Sequence, residues 1–493
     1  MDLRIYIETY GCQMNVADSQ VASSILKGAG CSFTEDIHLA DVILINTCSV
    51  RDNAEKRVLG RLDVFRQEKK KREGVTVGVL GCMAQRLKEK LLGNPAVDFT
   101  VGPDSYRNLP AVISFIRDRG GKMTETNLSS LETYADIEPV RTDDNGVSAF
   151  ISIMRGCNNL CSYCIVPFTR GRERSRDPKS IVSEAEQLAK DGYKEVTLLG
   201  QNVDSYNWTD PENTTRKVNF SQLLELVAIA CPKMRIRFQT SHPKDIRKGV
   251  LYTMAMYPNI CPHIHLPVQS GSTRLLQKMN RKYTREDYLQ KINDIRNVMP
   301  DCAITTDIIA GFCSETEEDH QQTLSLMKEV GYDGAFMFQY SQRPDTLAAK
   351  RYPDDVPEEI KTERLNQIIA LQNELSLKSN QKCIGQTYQV LVEGPSKRSE
   401  TQMTGRTPHN KFCVFDSKDS KPGDFVWIKV LACTQATLMG EIVEVKKTFF
   451  DKIEEAEENI GETLVEGLTE IKNKIIGKRD KSGKKKKSTK NSK

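Results

Sequence analysis

The chain has 493 residues, 38% hydrophobic and 28% charged, with 14 cysteines and a formal net charge of +5. That is ordinary composition for a globular protein of about three domains, and no apolar run approaches the ~18 residues of a membrane span. The start, MDLRIYIETYGC, sets Asp2, Arg4 and Glu8 where a signal peptide needs an unbroken apolar core. A cytoplasmic protein is the expectation, one in which many cysteines argue for metal or redox chemistry over a disulfide framework.

Residues 1–120 alternate short apolar runs (RIYIETY, DVILINT, VTVGVLG) with amphipathic stretches. The pattern predicts parallel strands with crossover helices. A polar linker is expected over 121–146. From 147 the alternation resumes with VSAFISI, EVTLLG, RIRFQT, HIHL, AITTDIIAG and AFMFQY, five of them followed by helical segments. The sixth leads through a proline-containing loop into EEIKTERLNQIIALQNELSLK. Six units over 147–380 predict an incomplete (β/α)6 barrel, whose working residues sit where strands end. Those ends read GCNNLC, GQNVDSY, QTSHP, LPVQSGS, AGFCSE and YSQRPDT, all polar or glycine-rich.

Period-two alternation over 381–445 predicts a small antiparallel β-barrel. An apolar stripe on an acidic helix is expected over 446–477. Residues 478–493 hold nine basic residues and one acid, which leaves the remainder of the chain slightly acidic. This tail reads as a solvated, disordered segment or as a salt-dependent attractor of phosphate.

Two cysteine sets stand out. Cys157, Cys161 and Cys164 lie within nine residues, GCNNLCSYC, in a Cys-x3-Cys-x2-Cys spacing. Three thiolates can hold a four-iron cluster with one iron left open to a reactant, and Tyr163 can cover it. A zinc site with a remote fourth ligand is the alternative. Cys12, Cys48 and Cys82 each follow an expected strand, and in a parallel sheet such positions share one crevice. Gly11 and Gly81 permit close backbone approach there. The alternative for this set is burial as small apolar residues. The other cysteines show no ligand spacing, and Cys261 with His263 and His265 reads as packing.

These motifs carry a resemblance. GCNNLCSYC resembles the signature of the radical S-adenosylmethionine (SAM) superfamily. Cys12, Cys48 and Cys82 match the N-terminal domain of the methylthiotransferases within it, and 381–445 looks like their terminal TRAM domain. YGCQMN, CSYCIVPFTRGRE and HLPVQSGS are similar to the MiaB-type branch. The resemblance implies two 4Fe-4S clusters and SAM as cofactors. The cluster on Cys157, Cys161 and Cys164 would cleave SAM to a 5′-deoxyadenosyl radical. The cluster on Cys12, Cys48 and Cys82 would hold the sulfur to be inserted and methylated. The implied acceptor is carbon 2 of an isopentenylated adenosine beside a tRNA anticodon, and an electron donor and a sulfur- or cluster-supplying protein are implied partners.

Gly200, Gln201, Asn202, Ser241, His242 and Gln269 are candidates for contacts to SAM or the adenine, or else satisfy loop backbone. Arg170, Arg172, Arg174 and Arg176 are candidates to grip tRNA phosphates, or form a solvated charged loop. The family pattern Gly-Phe-Pro-Gly-Glu-Thr is GFCSET here, with Cys313 and Ser314, and YSQRPDTLA stands where a glycine and a second proline are common, so it differs at Asp345 and Leu347. Rival readings are methylthiolation of threonylcarbamoyladenosine in tRNA, methylthiolation of a ribosomal protein, and a non-catalytic, zinc-stabilised RNA-binding module.

Overall fold

Strands β1 (Arg4–Thr9), β2 (Ser32–Phe33), β3 (Val42–Thr47), β4 (Thr76–Gly81), β5 (Phe99–Val101) and β6 (Met123–Glu125) form one parallel sheet, ordered β2-β1-β3-β4-β5-β6. VILINT and TVGVLG are buried at every residue, as expected of parallel strands covered on both faces. Helices α1 (Gln13–Gly28) and α5 (Leu109–Arg119) supply one apolar layer. Helices α2 (Asp52–Lys71), α3 (Cys82–Leu87) and α4 (Glu89–Leu92) supply the other.

The coordinates are a computed structural model that describes residues 2–49, 52–141, 146–399 and 401–444. Residues Met1–Val443 form one compact unit. The acidic helix expected over 446–477 and the basic tail over 478–493 lie outside the described residues. Among those described, no helix is long and apolar enough to cross a membrane.

The segment expected as a plain linker contributes two ordered features. Met123–Glu125 pairs in parallel with β5, and Tyr134 is buried, stacked on Tyr106 with ring centroids 5.9 Å apart. Three half-polar residues carry no periodicity to read; backbone pairing to an existing sheet edge makes the strand.

The second layer begins with β7 (Ser148–Ser152). A short antiparallel pair, β8 (Met154–Arg155) and β9 (Arg174–Ser175), brackets α6 (Val166–Arg170). Then come α7 (Pro178–Lys190), β10 (Glu195–Leu199), the hairpin β11 (Asn207–Thr209) and β12 (Lys217–Asn219), α8 (Phe220–Ala230), β13 (Arg235–Gln239) and α9 (Lys248–Met256). The series continues with β14 (His263–His265), α10 (Thr273–Lys278), α11 (Arg285–Val298), β15 (Ala303–Ala310), α12 (Glu317–Val330), β16 (Gly334–Gln339), α13 (Leu347–Arg351) and α14 (Glu358–Gln381). Reciprocal capping boxes start α8, α11 and α12.

Strands β7, β10 and β13 pair in parallel, as do β14, β15 and β16, and an Ile236–Ile260 bridge joins the two sheets. Among the described residues no pairing closes β16 onto β7. The six strands expected from the sequence thus build a split barrel.

Strands β17 (Thr387–Pro395), β18 (Gln402–Arg406), β19 (Phe412–Asp416), β20 (Phe425–Cys433) and β21 (Leu438–Ile442) close a small barrel, as expected from their alternation. It docks at the end of the split barrel where strands begin. Arg235 donates to the carbonyls of Gln389 and Arg406, and Arg237 to those of Thr407 and Pro408. Lys411 pairs with Asp333, just before β16, at 3.0 Å.

Candidate active site

The opposite end, where the large barrel's strands finish, gathers the sequence candidates. The loop 156–164 runs from β8 to α6. Its backbone is pinned from residues 278–281: Ser162 N–H donates to the Met279 carbonyl at 2.9 Å, its hydroxyl to Lys278 O at 2.9 Å, and the Asn280 amide to Leu160 O at 2.7 Å. Arg281, 4% exposed, donates from Nη1 to Cys161 Sγ at 3.3 Å. Burial pushes the Cys157 thiol up to about 11 and Cys164 up to about 12. Deprotonating them therefore costs free energy that a bound metal centre must supply.

Asp245 ties this loop to the neighbouring strand ends, accepting from Asn159 at 3.1 Å and from Asn202 at 2.7 Å. Burial and the Arg281 charge push His242 down to about 2, so its ring is neutral. Around these groups buried acceptors stand without a hydrogen bond at Gln201 Oε1 and Asn202 Oδ1, while Asp204 lies against the Ser241 hydroxyl and the His242 backbone. Buried polar atoms are usually satisfied, and a concentration of bare acceptors beside the cysteine loop fits a ligand rich in N–H and O–H donors, as SAM is. Gly200 lies where a Cβ would come within 2.5 Å of Met154, so its role is close packing. Gln269, 7% exposed, takes φ +72° and bridges to β15 through Asp307 O and Ile309 N–H.

The other cysteine set converges. β1, β3 and β4 are neighbours in the sheet, and Cys12, Cys48 and Cys82 stand one to three residues past their ends. Cys12 caps α1 and Cys82 opens α3. A hydrogen bond with Cys48 draws the Cys12 thiol down to about 6, and the Arg170 charge acts in the same direction. The glycines permit the approach: at Gly11, φ +125°, a Cβ would lie 2.3 Å from Cys48 Cβ, and at Gly81, φ +86°, 2.2 Å from Asn46 Oδ1. No three His, Cys, Asp or Glu among the described residues are arranged around a single metal ion. A four-iron cluster takes one iron per thiolate, so its ligands need not surround a single point.

The arginines of FTRGRERSR divide. Arg172 is exposed, whereas Arg170, Arg174 and Arg176 are buried and ion-paired. Arg170 meets Asp18 at 2.7 Å, Arg174 meets Asp104 at 2.8 Å, and Arg176 pairs with Glu184. Arg155 joins Asp18, 2.8 Å, to Asp104, 3.5 Å, and lies 4.9 Å over the Tyr134 ring. Guanidinium groups sealed in this way are not available to tRNA phosphates; Arg155, Arg170 and Arg174 fasten the N-terminal sheet to the split barrel, whereas Arg176 pairs within the barrel. Alternation in the sequence showed their number and spacing, but the carboxylate partners of Arg170 and Arg174 lie far off in the chain, at Asp18 and Asp104, and only that of Arg176 is near.

Asp18, Asp104, Arg155, Asp245 and Arg281 were missed by sequence reasoning. Only Asp245, three residues after His242 in SHPKD, carried a local signal. His263 and His265 both bond the Thr305 hydroxyl at 3.0 Å, in keeping with packing. The two departures from glycine in the family pattern have a conformational counterpart: Ser314 takes φ +62° and Asp345 φ +72°. Side chains rarely adopt that region, and Ser314 is held in it by Asp355, which accepts from its N–H at 2.6 Å.

Comparison with known proteins agrees with this layout. Residues 4–102 match an uncharacterized protein family, UPF0004, residues 151–327 the radical SAM superfamily, and residues 381–443 the TRAM domain. Relatives named tRNA-2-methylthio-N(6)-dimethylallyladenosine synthase include one from Bacteroides thetaiotaomicron, 57% identical, covering 89% of this chain and 96% of its own. Another, from Amoebophilus asiaticus, is 56% identical and covers 89% of this chain and 92% of its own. One from Porphyromonas gingivalis is 52% identical, covering 90% and 95%. Among solved structures, the radical SAM methyltransferase TsrM from Kitasatospora setae shares the fold, with a TM-score of 0.53 at 13% identity, covering 82% of this chain and 77% of that one. A split barrel with three cysteines at its working end, a sheet domain with three more and a terminal small barrel, at this level of identity, place the chain in the tRNA-2-methylthio-N(6)-dimethylallyladenosine synthase family of radical SAM methylthiotransferases.

Proposed function

We propose that this chain inserts sulfur into a C–H bond at carbon 2 of N6-isopentenyladenosine in tRNA and methylates it, using two four-iron clusters. Cys157, Cys161 and Cys164 would hold the one that meets SAM, and Cys12, Cys48 and Cys82 the second. When bound, the first supplies the electron that splits SAM, and the second a site for the transferable sulfur. The carrying observation is the convergence of Cys12, Cys48 and Cys82 at the edge of three neighbouring strands, on the domain that Arg155, Arg170 and Arg174 clamp to the split barrel.

The chain's own residues orient the reactants. Asp245 sets the amides of Asn159 and Asn202, so the polar rim of strand two and the cysteine loop keep one geometry. Gln201 and Asn202 offer bare acceptors to the amine and hydroxyl groups of SAM. His242, neutral and edge-on to Tyr283 at 5.7 Å, is an uncharged wall of that rim. Tyr163 packs with Phe312, Tyr340 and Met279 behind the loop, which excludes water from that side. The small barrel, docked at the far end, is the RNA-holding module, and an electron donor and a sulfur supplier complete the cycle.

Anaerobically prepared protein should carry about eight irons per chain. Mass spectrometry of tRNA nucleosides from cells lacking the protein tests the acceptor. Loss of the 2-methylthio-isopentenyl nucleoside, with its isopentenyl precursor accumulating, is expected; loss of the threonylcarbamoyl derivative instead contradicts the assignment.

A further inference from the structure

Arg170 is the last residue of α6, the helix that leaves the 157–164 loop, yet its head lies in the other cysteine site. It is 3% exposed. One edge of the guanidinium is occupied: Nη2 meets Asp18 at 2.7 Å and donates to Asn15 Oδ1 at 3.2 Å. The same Asn15 oxygen accepts from Cys12 Sγ at 3.6 Å. Nη1 makes no well-aligned hydrogen bond, although the guanidinium interacts with the Cys82 thiol. Burial raises the Cys82 thiol, and the Arg170 charge beside it opposes that rise. Helix α3, which begins at Cys82, packs against α6.

A buried N–H left unmade costs roughly 1–3 kcal/mol, so a bare guanidinium nitrogen facing thiolates calls for an acceptor. The charge balance agrees. In the junction network, Arg155, Arg170 and Arg174 face only Asp18 and Asp104, leaving one positive charge in excess at the edge of three cysteines. The planar fork of arginine can serve a carboxylate on one edge and a soft anion on the other.

We propose that Arg170 is a positioning residue for the transferable sulfur: its Nη1 donates a hydrogen bond to an anionic sulfur ligand, sulfide or methanethiolate, held at the Cys12–Cys48–Cys82 site. This inference rests on the two-cluster reading above. It gives the helix of one cysteine set a part in the other, so that the junction joins the two centres chemically as well as mechanically.

The test uses the full chain with Cys157, Cys161 and Cys164 all changed to Ala, reconstituted with iron and sulfide. Iron content, the cluster's midpoint potential and the change of its electron paramagnetic resonance signal on titration with methanethiolate are then measured. Arg170→Gln, which leaves Asp18 paired to Arg155, should move the midpoint to a more negative value and weaken methanethiolate binding by about tenfold, the worth of one charge-assisted hydrogen bond. Arg170→Lys should recover the midpoint and only part of the affinity. Full iron with unchanged midpoint and affinity in Arg170→Gln overturns the proposal. If that variant loses iron, the double variant Asp18→Asn/Arg170→Gln decides. Restored iron with normal affinity reduces Arg170 to a partner of Asp18. Restored iron with weakened affinity upholds the role, whereas continued loss of iron in a folded protein makes Arg170 a requirement of cluster assembly and overturns it. An iron-free parent with Arg170 intact removes the second cluster itself, a failure distinct from that of the arginine.

Discussion

The two cysteine sets are built in opposite ways. Cys157, Cys161 and Cys164 come from a single loop, and the loop's shape depends on hydrogen bonds from residues 278–281. Cys12, Cys48 and Cys82 come from three strand ends, and the sheet brings them together, with Gly11 and Gly81 permitting the backbones to close. The first set is compact in sequence, and tertiary contacts only fix the shape of a loop whose ligands are already neighbours. The second has no local existence, since topology alone makes it a site. A local set depends on the one segment that pins it, residues 278–281, whereas an assembled one is exposed to every distortion of the sheet and the junction beneath it.

The sharpest test of this contrast is also the largest effect. Cys157→Ala should abolish SAM cleavage, followed by chromatography of 5′-deoxyadenosine, while Cys12→Ala should retain cleavage and lose sulfur insertion. Methylthiolated product from either variant breaks the division of labour.

The junction comes next. Asp104→Ala leaves Arg174 and, in part, Arg155 buried without a carboxylate. A loss of about 3–5 kcal/mol is expected from urea denaturation, and less than 1 kcal/mol would mean that water satisfies those groups. Gly11→Ala probes the sheet edge itself. Its φ of +125° and the close Cys48 side chain predict strain of roughly 1–3 kcal/mol, with iron falling toward about four per chain as the second set alone fails. A full complement of iron would show that the edge can open.

The last effect concerns the rim of the local set. Burial lifts Asp204 from 3.8 to about 7. Between those values the folded state binds the proton that the unfolded state has released, so stability falls as pH rises through the window. Asp204→Asn removes that dependence. It should be more stable than the parent at pH 8, by on the order of 4 kcal/mol, with the difference fading toward pH 4. A difference that does not vary with pH contradicts a protonated Asp204.

Much of this architecture was legible beforehand. VILINT and TVGVLG read as buried strands because parallel sheets covered on both faces are apolar throughout. GCNNLCSYC read as a ligand loop because its spacing is local. The convergence of Cys12, Cys48 and Cys82 followed from placement after strands, an argument from topology. What escaped was set by partners remote in the chain. Arg170, Arg174 and Arg176 looked like a phosphate grip because alternating arginines on a polar loop are indistinguishable from one until Asp18, Asp104 and Glu184 are seen beside them. Arg281 reaches Cys161 across 120 residues, and β6 exists only because β5 offers an unpaired edge.

Residue order, then, determined the strand sequence, the two cysteine sets and the three-part organisation, since period and spacing are properties of neighbours along the chain. Which charges are sealed and which are free was decided only by the tertiary structure, because burial and pairing depend on what folds against a side chain, and for Arg170 and Arg174 those groups come from a different domain.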